Sequence, residues 1–368
     1  MRKRELKNME WWVLIIAIIL CVIGLVALFS ATQNSNHDSF YKQLIWLGIS
    51  VVIMIIFTVI DYENIVKASP IFYFVFLVLL GAVLFTKPIN GATSWFNIGF
   101  FSFQPSEFAK IFVILFLAFI ISKIQLKQKE EINRFSRLLL ILLVVGIPIL
   151  LIIKEPDYGT ATAFIIATLM MLFTAGIDKK YIIAIILIIS IAIPVLYNFV
   201  LPEHAKQRID VFLHPESDPR GSGYNILQSK LAIGAGEFTG MGIMKGNQTQ
   251  LGFLYPKTTD FIFAVISEEM GFIVSSAIII LYVVLVTKAL YIAKTAKDTI
   301  GSVVATGIAG IFFFHMLENI GMVMGLLPIT GVPLLFISYG GSSLISSFIC
   351  IGLLLNISGK RQKTIFVK

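Results

Sequence analysis

Charge is scarce in this sequence. Only 14% of its 368 residues are Asp, Glu, Lys or Arg, about half the share usual in soluble domains. Such a chain cannot cover a globule with solvated side chains. Cysteine is nearly absent as well: Cys21 and Cys350 both lie in apolar runs, which excludes a disulfide scaffold and a thiolate metal cage, and both read as packing residues. There is no Rossmann or P-loop glycine pattern and no internal repeat of the kind that builds inverted-repeat transporters. The net charge of +8 comes without a basic stripe interleaved with aromatics, so it does not indicate a nucleic-acid partner.

What is abundant is apolar length. Hydrophobic residues make up 57% of the chain and its mean hydropathy is +0.91. About 20 apolar residues carry a helix across the hydrocarbon core. Runs of that kind recur at 11–30, 43–61, 69–86, 104–122, 138–153, 159–177, 181–200, 261–287, 302–326 and 331–357. The first is long for a signal peptide, and Ala31-Thr32-Gln33 is a poor cleavage site. With the N-terminus inside, 19 of the 29 basic residues fall on the inner side, and the short loops divide 19 against 3. That is the bias expected of cytoplasmic loops. The reading is an all-α integral membrane protein of about ten transmembrane helices, both termini cytoplasmic, forming one polytopic domain over 1–368 with a large extracytoplasmic loop at 201–260.

Polar residues out of place in such a chain carry the information, because an ionisable group at membrane depth needs a partner or a cavity. Pro105-Ser106-Glu107 suits a helix start, and Glu107 shares a face with Lys110, three residues on. The two form either a salt bridge that permits burial or the lining of a substrate cavity. Asp157, in Glu155-Pro156-Asp157-Tyr158-Gly159, is either a helix cap or a functional acid. The loop 201–260 is too long for a passive connection. Within it, Gly223–Ile233 has the apolar spacing of an interfacial helix, and glycines at 234, 236, 240, 242 and 246 follow. Asp260 stands where this loop enters the next span, with Glu268 two turns deeper on roughly the same face. Asp260 caps that helix or serves chemistry. Pro and Gly between Leu327 and Gly341 break the helical pattern at membrane depth, which survives only where it lines protein or a cavity. Ser342 and Ser343 beyond it suit either close packing or function.

The strings Phe-Gln-Pro-Ser-Glu-Phe-Ala-Lys (103–110), Glu-Pro-Asp-Tyr-Gly-Thr-Ala (155–161), Gly-Tyr-Asn-Ile-Leu-Gln-Ser-Lys (223–230), Thr-Asp-Phe-Ile-Phe-Ala-Val-Ile-Ser-Glu-Glu-Met-Gly (259–271) and Ile-Ser-Tyr-Gly-Gly-Ser-Ser (337–343) together resemble the SEDS family, the RodA/FtsW/SpoVE proteins. The first string is closer to the elongation branch than to the division branch. The resemblance implies a ten-helix peptidoglycan glycosyltransferase in the plasma membrane. It would polymerise lipid II on the extracytoplasmic side with a class B penicillin-binding protein transpeptidase as partner, for wall elongation and cell shape. It implies an essential carboxylate at Asp260, functional weight on Glu107, Lys110 and Asp157, and dependence on a divalent cation (Mg2+ or Mn2+), for which Asp260 is also the candidate ligand. The further substrate-binding candidates are Arg208, Gln228, Ser229, Lys230, Gln248, Glu268, Ser338 and Ser342. The chain departs from the family pattern twice. Lys257-Thr258 replaces a stretch that often carries His, and Ser94 stands where Arg often precedes the Trp. Lys87 and Lys110 are then left as cations for a pyrophosphate. A lipid II flippase is the competing reading, since buried charges and a broken helix suit transport too.

Overall fold

The computed structural model describes residues 3–88, 92–99, 101–126, 128–181, 183–184, 187 and 203–361. A short α1 (Lys3–Asn8) precedes the first spans, α2 (Trp12–Ala31), α3 (Asp38–Val59) and α4 (Tyr62–Val83). A two-stranded antiparallel hairpin, β1 (Phe96–Ile98) and β2 (Phe101–Phe103), leads into α5 (Pro105–Gln125). Then follow α6 (Phe135–Lys154) and α7 (Tyr158–Ala175). The large loop carries α8 (Glu203–Leu213), α9 (Ser222–Ala235) and the single turn α10 (Asn247–Gln250), and the chain finishes with α11 (Ile262–Thr295), α12 (Thr299–Val323) and α13 (Gly341–Gly359).

Among the described residues, eight helices are long and apolar enough to cross a membrane. To these α5 adds a ninth, 21 residues long, that carries the Glu107–Lys110 pair. The span expected at 181–200 falls outside the described residues. Helix ends differ from the sequence reading where a polar cap was overlooked. Asp61 accepts from Glu63 N and starts α4 at Tyr62 rather than 69; Asp298 accepts from Gly301 N and starts α12 at Thr299. The last span does not begin at 331, because the backbone from Leu327 to Gly340 stays non-helical and re-enters the bundle.

The core is built around α12 and α13. A helix apolar on all sides belongs inside, and every α13 residue from Ser342 to Gly359 is buried. At the rim α3 buries only Gln43, Ser50 and Met54, and Ile45, Ile49, Val52, Ile55, Ile56 and Val59 face outward. The two ends of the chain meet at one end of the bundle. Glu10 there accepts from Lys288 Nζ at 2.8 Å and Arg361 Nη1 at 3.2 Å, and Tyr62 donates to Asp298 at 2.8 Å. Since α11 runs 34 residues from Ile262 to Thr295, its start and the 203–260 loop stand at the opposite end.

The glycine-rich part of that loop is a backbone-on-backbone joint. Gly271 kinks α11 with φ 76° and meets Gly240, whose φ is 81°. A Cβ on either would collide with main-chain atoms of the other segment. The close approach lets Met241 N and Gly242 N donate to the Glu268 and Glu269 carbonyls at 2.9 and 3.0 Å, satisfying groups that the kink would otherwise strand.

Candidate active site

The re-entrant segment 328–340 organises the site. Two α12 side chains, one turn apart, grip consecutive carbonyls of it. Asn319 Nδ2 donates to Val332 O at 2.8 Å, and His315 Nδ1 lies 3.0 Å from Pro333 O. Beyond them Ser338 Oγ donates to Thr259 O at 2.7 Å and Tyr339 N to Thr258 O at 2.9 Å. Gln43 of α3 closes the far side, giving Nε2 to Ser338 O and taking Gly340 N, both at 3.2 Å. Gly159, at the start of α7, lets this segment come in close, since a Cβ there would run into Val332 and stand 2.9 Å from Thr330 Oγ1.

Asp260 is held by these same contacts. Its carbonyl accepts the second Asn319 Nδ2 hydrogen at 3.0 Å. Its side chain does not cap α11: Phe261 occupies that position, with no side-chain cap hydrogen bond. The half-buried carboxylate faces Gly331, where a Cβ would be 3.7 Å from Oδ2. Burial pushes the Asp260 carboxyl above the usual range, opposed by a hydrogen bond from Thr259 and by the nearby Arg208 guanidinium of α8. Arg208 is thus brought to the acid from some fifty positions away in sequence.

A second polar layer lies deeper. Lys110 Nζ is 2.8 Å from Glu107 Oε2 and 3.0 Å from His315 Nε2, and Ser346 Oγ donates to Glu107 Oε2 at 2.8 Å. Glu107 is 1% exposed and Lys110 3%, so this pair is a buried salt bridge with all its partners inside the protein rather than the wall of an open cavity. Asp157 caps α7 through Thr160 N at 3.0 Å and also accepts from Gln104 Nε2 at 3.2 Å; burial raises its pKa. Its neighbour Glu155 is fully buried, with both carboxyl oxygens unpartnered. Burial, with the Asp157 charge adding, pushes it up to about 8.

Several expected substrate contacts are absorbed by the fold instead. Glu268 accepts Gln248 N at 2.6 Å, Thr249 N at 3.0 Å and Thr249 Oγ1 at 2.6 Å, and is fully buried. It latches α10 onto α11, and Gln248 takes part through its backbone. Ser229 Oγ donates to Val323 O at 2.7 Å, tying α9 to α12, and Ser342 Oγ accepts from Gln104 N at 3.1 Å. Ser338 is consumed by the Thr259 carbonyl. Gln228 stays half-buried on α9, and Lys230 is exposed, its side chain lying across Gly325 at the end of α12. The stretch forms helix α9, whose buried stripe is Gly223, Ile226, Ser229 and Ala232, with Leu227 and Leu231 facing out.

Sequence reasoning overlooked His315, Glu318 and Asn319. Three polar residues at i, i+3 and i+4 in an otherwise apolar run are the mark of an inward polar stripe. Glu318 Oε1 accepts from Thr330 Oγ1 at 2.7 Å, so it flanks the Thr330–Gly331 peptide across from Asp260. No group of three or more His, Cys, Asp or Glu side chains converges among the described residues. One carboxylate completed by substrate phosphate oxygens is a usual arrangement for Mg2+, and Asp260 offers that.

The relatives of this chain are of one kind. The peptidoglycan glycosyltransferase MrdB of Escherichia coli K12 is 35% identical over 350 residues, covering 95% of this chain and 93% of that protein. Stage V sporulation protein E of Bacillus subtilis is 38% identical over 363 residues, covering 94% and 95%. A chain solved in a study of how a peptidoglycan synthase complex coordinates polymerization and crosslinking superposes with a TM-score of 0.82 at 25% identity, covering 95% of this chain and 97% of that one. The rod shape determining protein RodA of Thermus thermophilus shares the fold, with a TM-score of 0.72 at 24% identity and coverage of 96% and 98%. The profile of the FtsW/RodA/SpoVE family, described as cell cycle proteins, matches residues 10–363, and the chain belongs to that family.

Proposed function

We propose that the chain is a peptidoglycan glycosyltransferase that polymerises lipid II by inverting glycosyl transfer at the outer face of the plasma membrane, in wall elongation. The observation that carries the mechanism is Asp260. It is an acid held by its backbone at the loop end of the bundle, with its carboxylate free of any capping duty and a guanidinium nearby. In the reaction an acceptor sugar hydroxyl gives its proton to Asp260. The hydroxyl oxygen attacks the anomeric carbon of the donor, and the bond to the lipid pyrophosphate breaks. An α-linked donor giving a β-linked product needs one displacement, so one base suffices and no covalent intermediate forms. Arg208, beside Asp260, is the cation proposed to receive the departing pyrophosphate. A divalent ion held by Asp260 and the phosphate oxygens would add charge stabilisation to that leaving group.

The excess of Lys and Arg on the terminal side supports an extracytoplasmic position for this end of the bundle. A class B penicillin-binding protein transpeptidase is the partner we propose, in keeping with the synthase complex whose chain shares this fold. A flippase would require no carboxylate freed from capping at the loop boundary, and the glycosyltransferase names of the relatives weigh against it.

The test is lipid II polymerisation by the purified protein, with its partner present and with or without chelator, comparing wild type with Asp260→Asn. Glycan strands from wild type and none from a folded variant are expected. Normal polymerisation by Asp260→Asn would sink the mechanism, and an inactive folded wild type would sink the enzyme.

A further inference from the structure

The deeper polar layer is buried and is aimed at the segment that holds Asp260. The protons of His315 are fixed by its two neighbours. A lysine ammonium has only hydrogens to offer, so Nε2, 3.0 Å from Lys110 Nζ, must present a lone pair. A carbonyl only accepts, so Nδ1, 3.0 Å from Pro333 O, must carry the hydrogen. The ring is therefore the neutral Nδ1–H tautomer, and Lys110 and the Pro333 carbonyl both select it. Glu107 in turn fixes Lys110 at 2.8 Å and is itself held by Ser346 of α13.

We propose that His315 is a positioning residue for the glycosyl transfer. In this scheme Lys110, fixed by Glu107, occupies the Nε2 lone pair while the Nδ1–H grips Pro333 O. That grip places the 332–339 segment, whose Ser338 and Tyr339 hold the backbone of Thr259 and Thr258 beside Asp260. The buried ion pair then serves geometry at the base and touches no substrate. The inference rests on the glycosyltransferase reading only for its kinetic arm. A displacement of about 1 Å at a catalytic group can cost on the order of 100-fold in rate, so a lost grip on Pro333 should be visible in kcat.

Two measurements test this. The chain has four histidines, so long-range proton–nitrogen spectra of protein labelled with 15N-histidine can resolve each ring, with His315→Asn providing the assignment. A neutral ring with its proton on Nδ1 is expected in the wild type. A proton on Nε2, or a doubly protonated ring, in the wild type overturns the proposal whether or not the protein polymerises anything. The kinetic arm separates the two contacts. Asparagine at 315 keeps a donor near the Nδ1 position and loses the acceptor for Lys110, whereas glutamine reaches Lys110 and loses the donor to Pro333. His315→Gln should lower kcat by about tenfold or more with KM for lipid II unchanged, and His315→Asn should retain most of the rate. If glutamine preserves the rate and asparagine abolishes it, accepting from the lysine is all that His315 does. If KM rises while kcat stands, the layer contacts substrate. Either result refutes the positioning role.

Discussion

Glu268 offers the sharpest test of whether an acid in this chain serves substrate or fold. Its two oxygens take three donors: Oε1 the backbone N–H of Gln248, Oε2 the backbone N–H and hydroxyl of Thr249. Glu268→Gln keeps the size and forces one oxygen to become an NH2. The least damaging rotamer keeps the oxygen toward Thr249, so the new amide hydrogens oppose Gln248 N, formerly 2.6 Å from an acceptor. A charge-assisted bond worth about 1.5–3 kcal/mol is lost, and a buried N–H is left unsatisfied at a further cost of about 1–3 kcal/mol. Opening of the α10 turn limits the total to about 3–5 kcal/mol. Each 1.4 kcal/mol is tenfold in an equilibrium, so hydrogen exchange of the 247–250 amides should accelerate by at least about 100-fold. Exchange in α12 and α13 should be far less affected, because opening is local. The assay is hydrogen–deuterium exchange in detergent alongside polymerisation kinetics. Unchanged exchange at 247–250 with a raised KM for lipid II would refute the latch and return Glu268 to the substrate.

Three other outcomes follow from the same geometry. If Asp260 must be ionised to act, the rate should climb with pH through a midpoint above the ordinary carboxylate range. Arg208→Gln, by removing a charge that favours the ionised form, should move that midpoint further up; a pH–rate profile with no such displacement would remove Arg208 from the site. Glu155, held near 8 by burial, binds its proton more tightly folded than unfolded. Its contribution to stability is therefore complete below about 4.3 and is lost as pH rises through 8. The thermal midpoint of the wild type should fall between pH 6 and 9 more than that of Glu155→Gln, and equal slopes would contradict the assignment. Gly159→Ala should drive a methyl into Val332 and Thr330, at a cost of about 1–3 kcal/mol of overpacking, with kcat falling more than stability alone explains; wild-type kinetics would show that the re-entrant segment has room to yield.

Composition and the spacing of apolar runs were enough to determine a multi-pass helical membrane protein, because lipid leaves a chain of this kind no other way to satisfy its backbone. The helix starts were equally local matters, and Asp61 and Asp298 show that cap chemistry decided them where hydropathy alone gave the wrong residue. The Glu107–Lys110 contact was legible for the same reason, since three residues on a helix make neighbours. Which polar residue serves the site was not legible. Asp157, Asp260 and Glu268 all stand near helix starts in the sequence. Only the tertiary structure shows that the first caps α7, the third latches a loop, and the second is left with its carboxylate free of capping. Those outcomes depend on where α12 places His315 and Asn319 against a segment some fifteen residues further on, and on a glycine joint that brings the large loop back over α11. Such contacts join residues far apart in the chain, and no local periodicity encodes them.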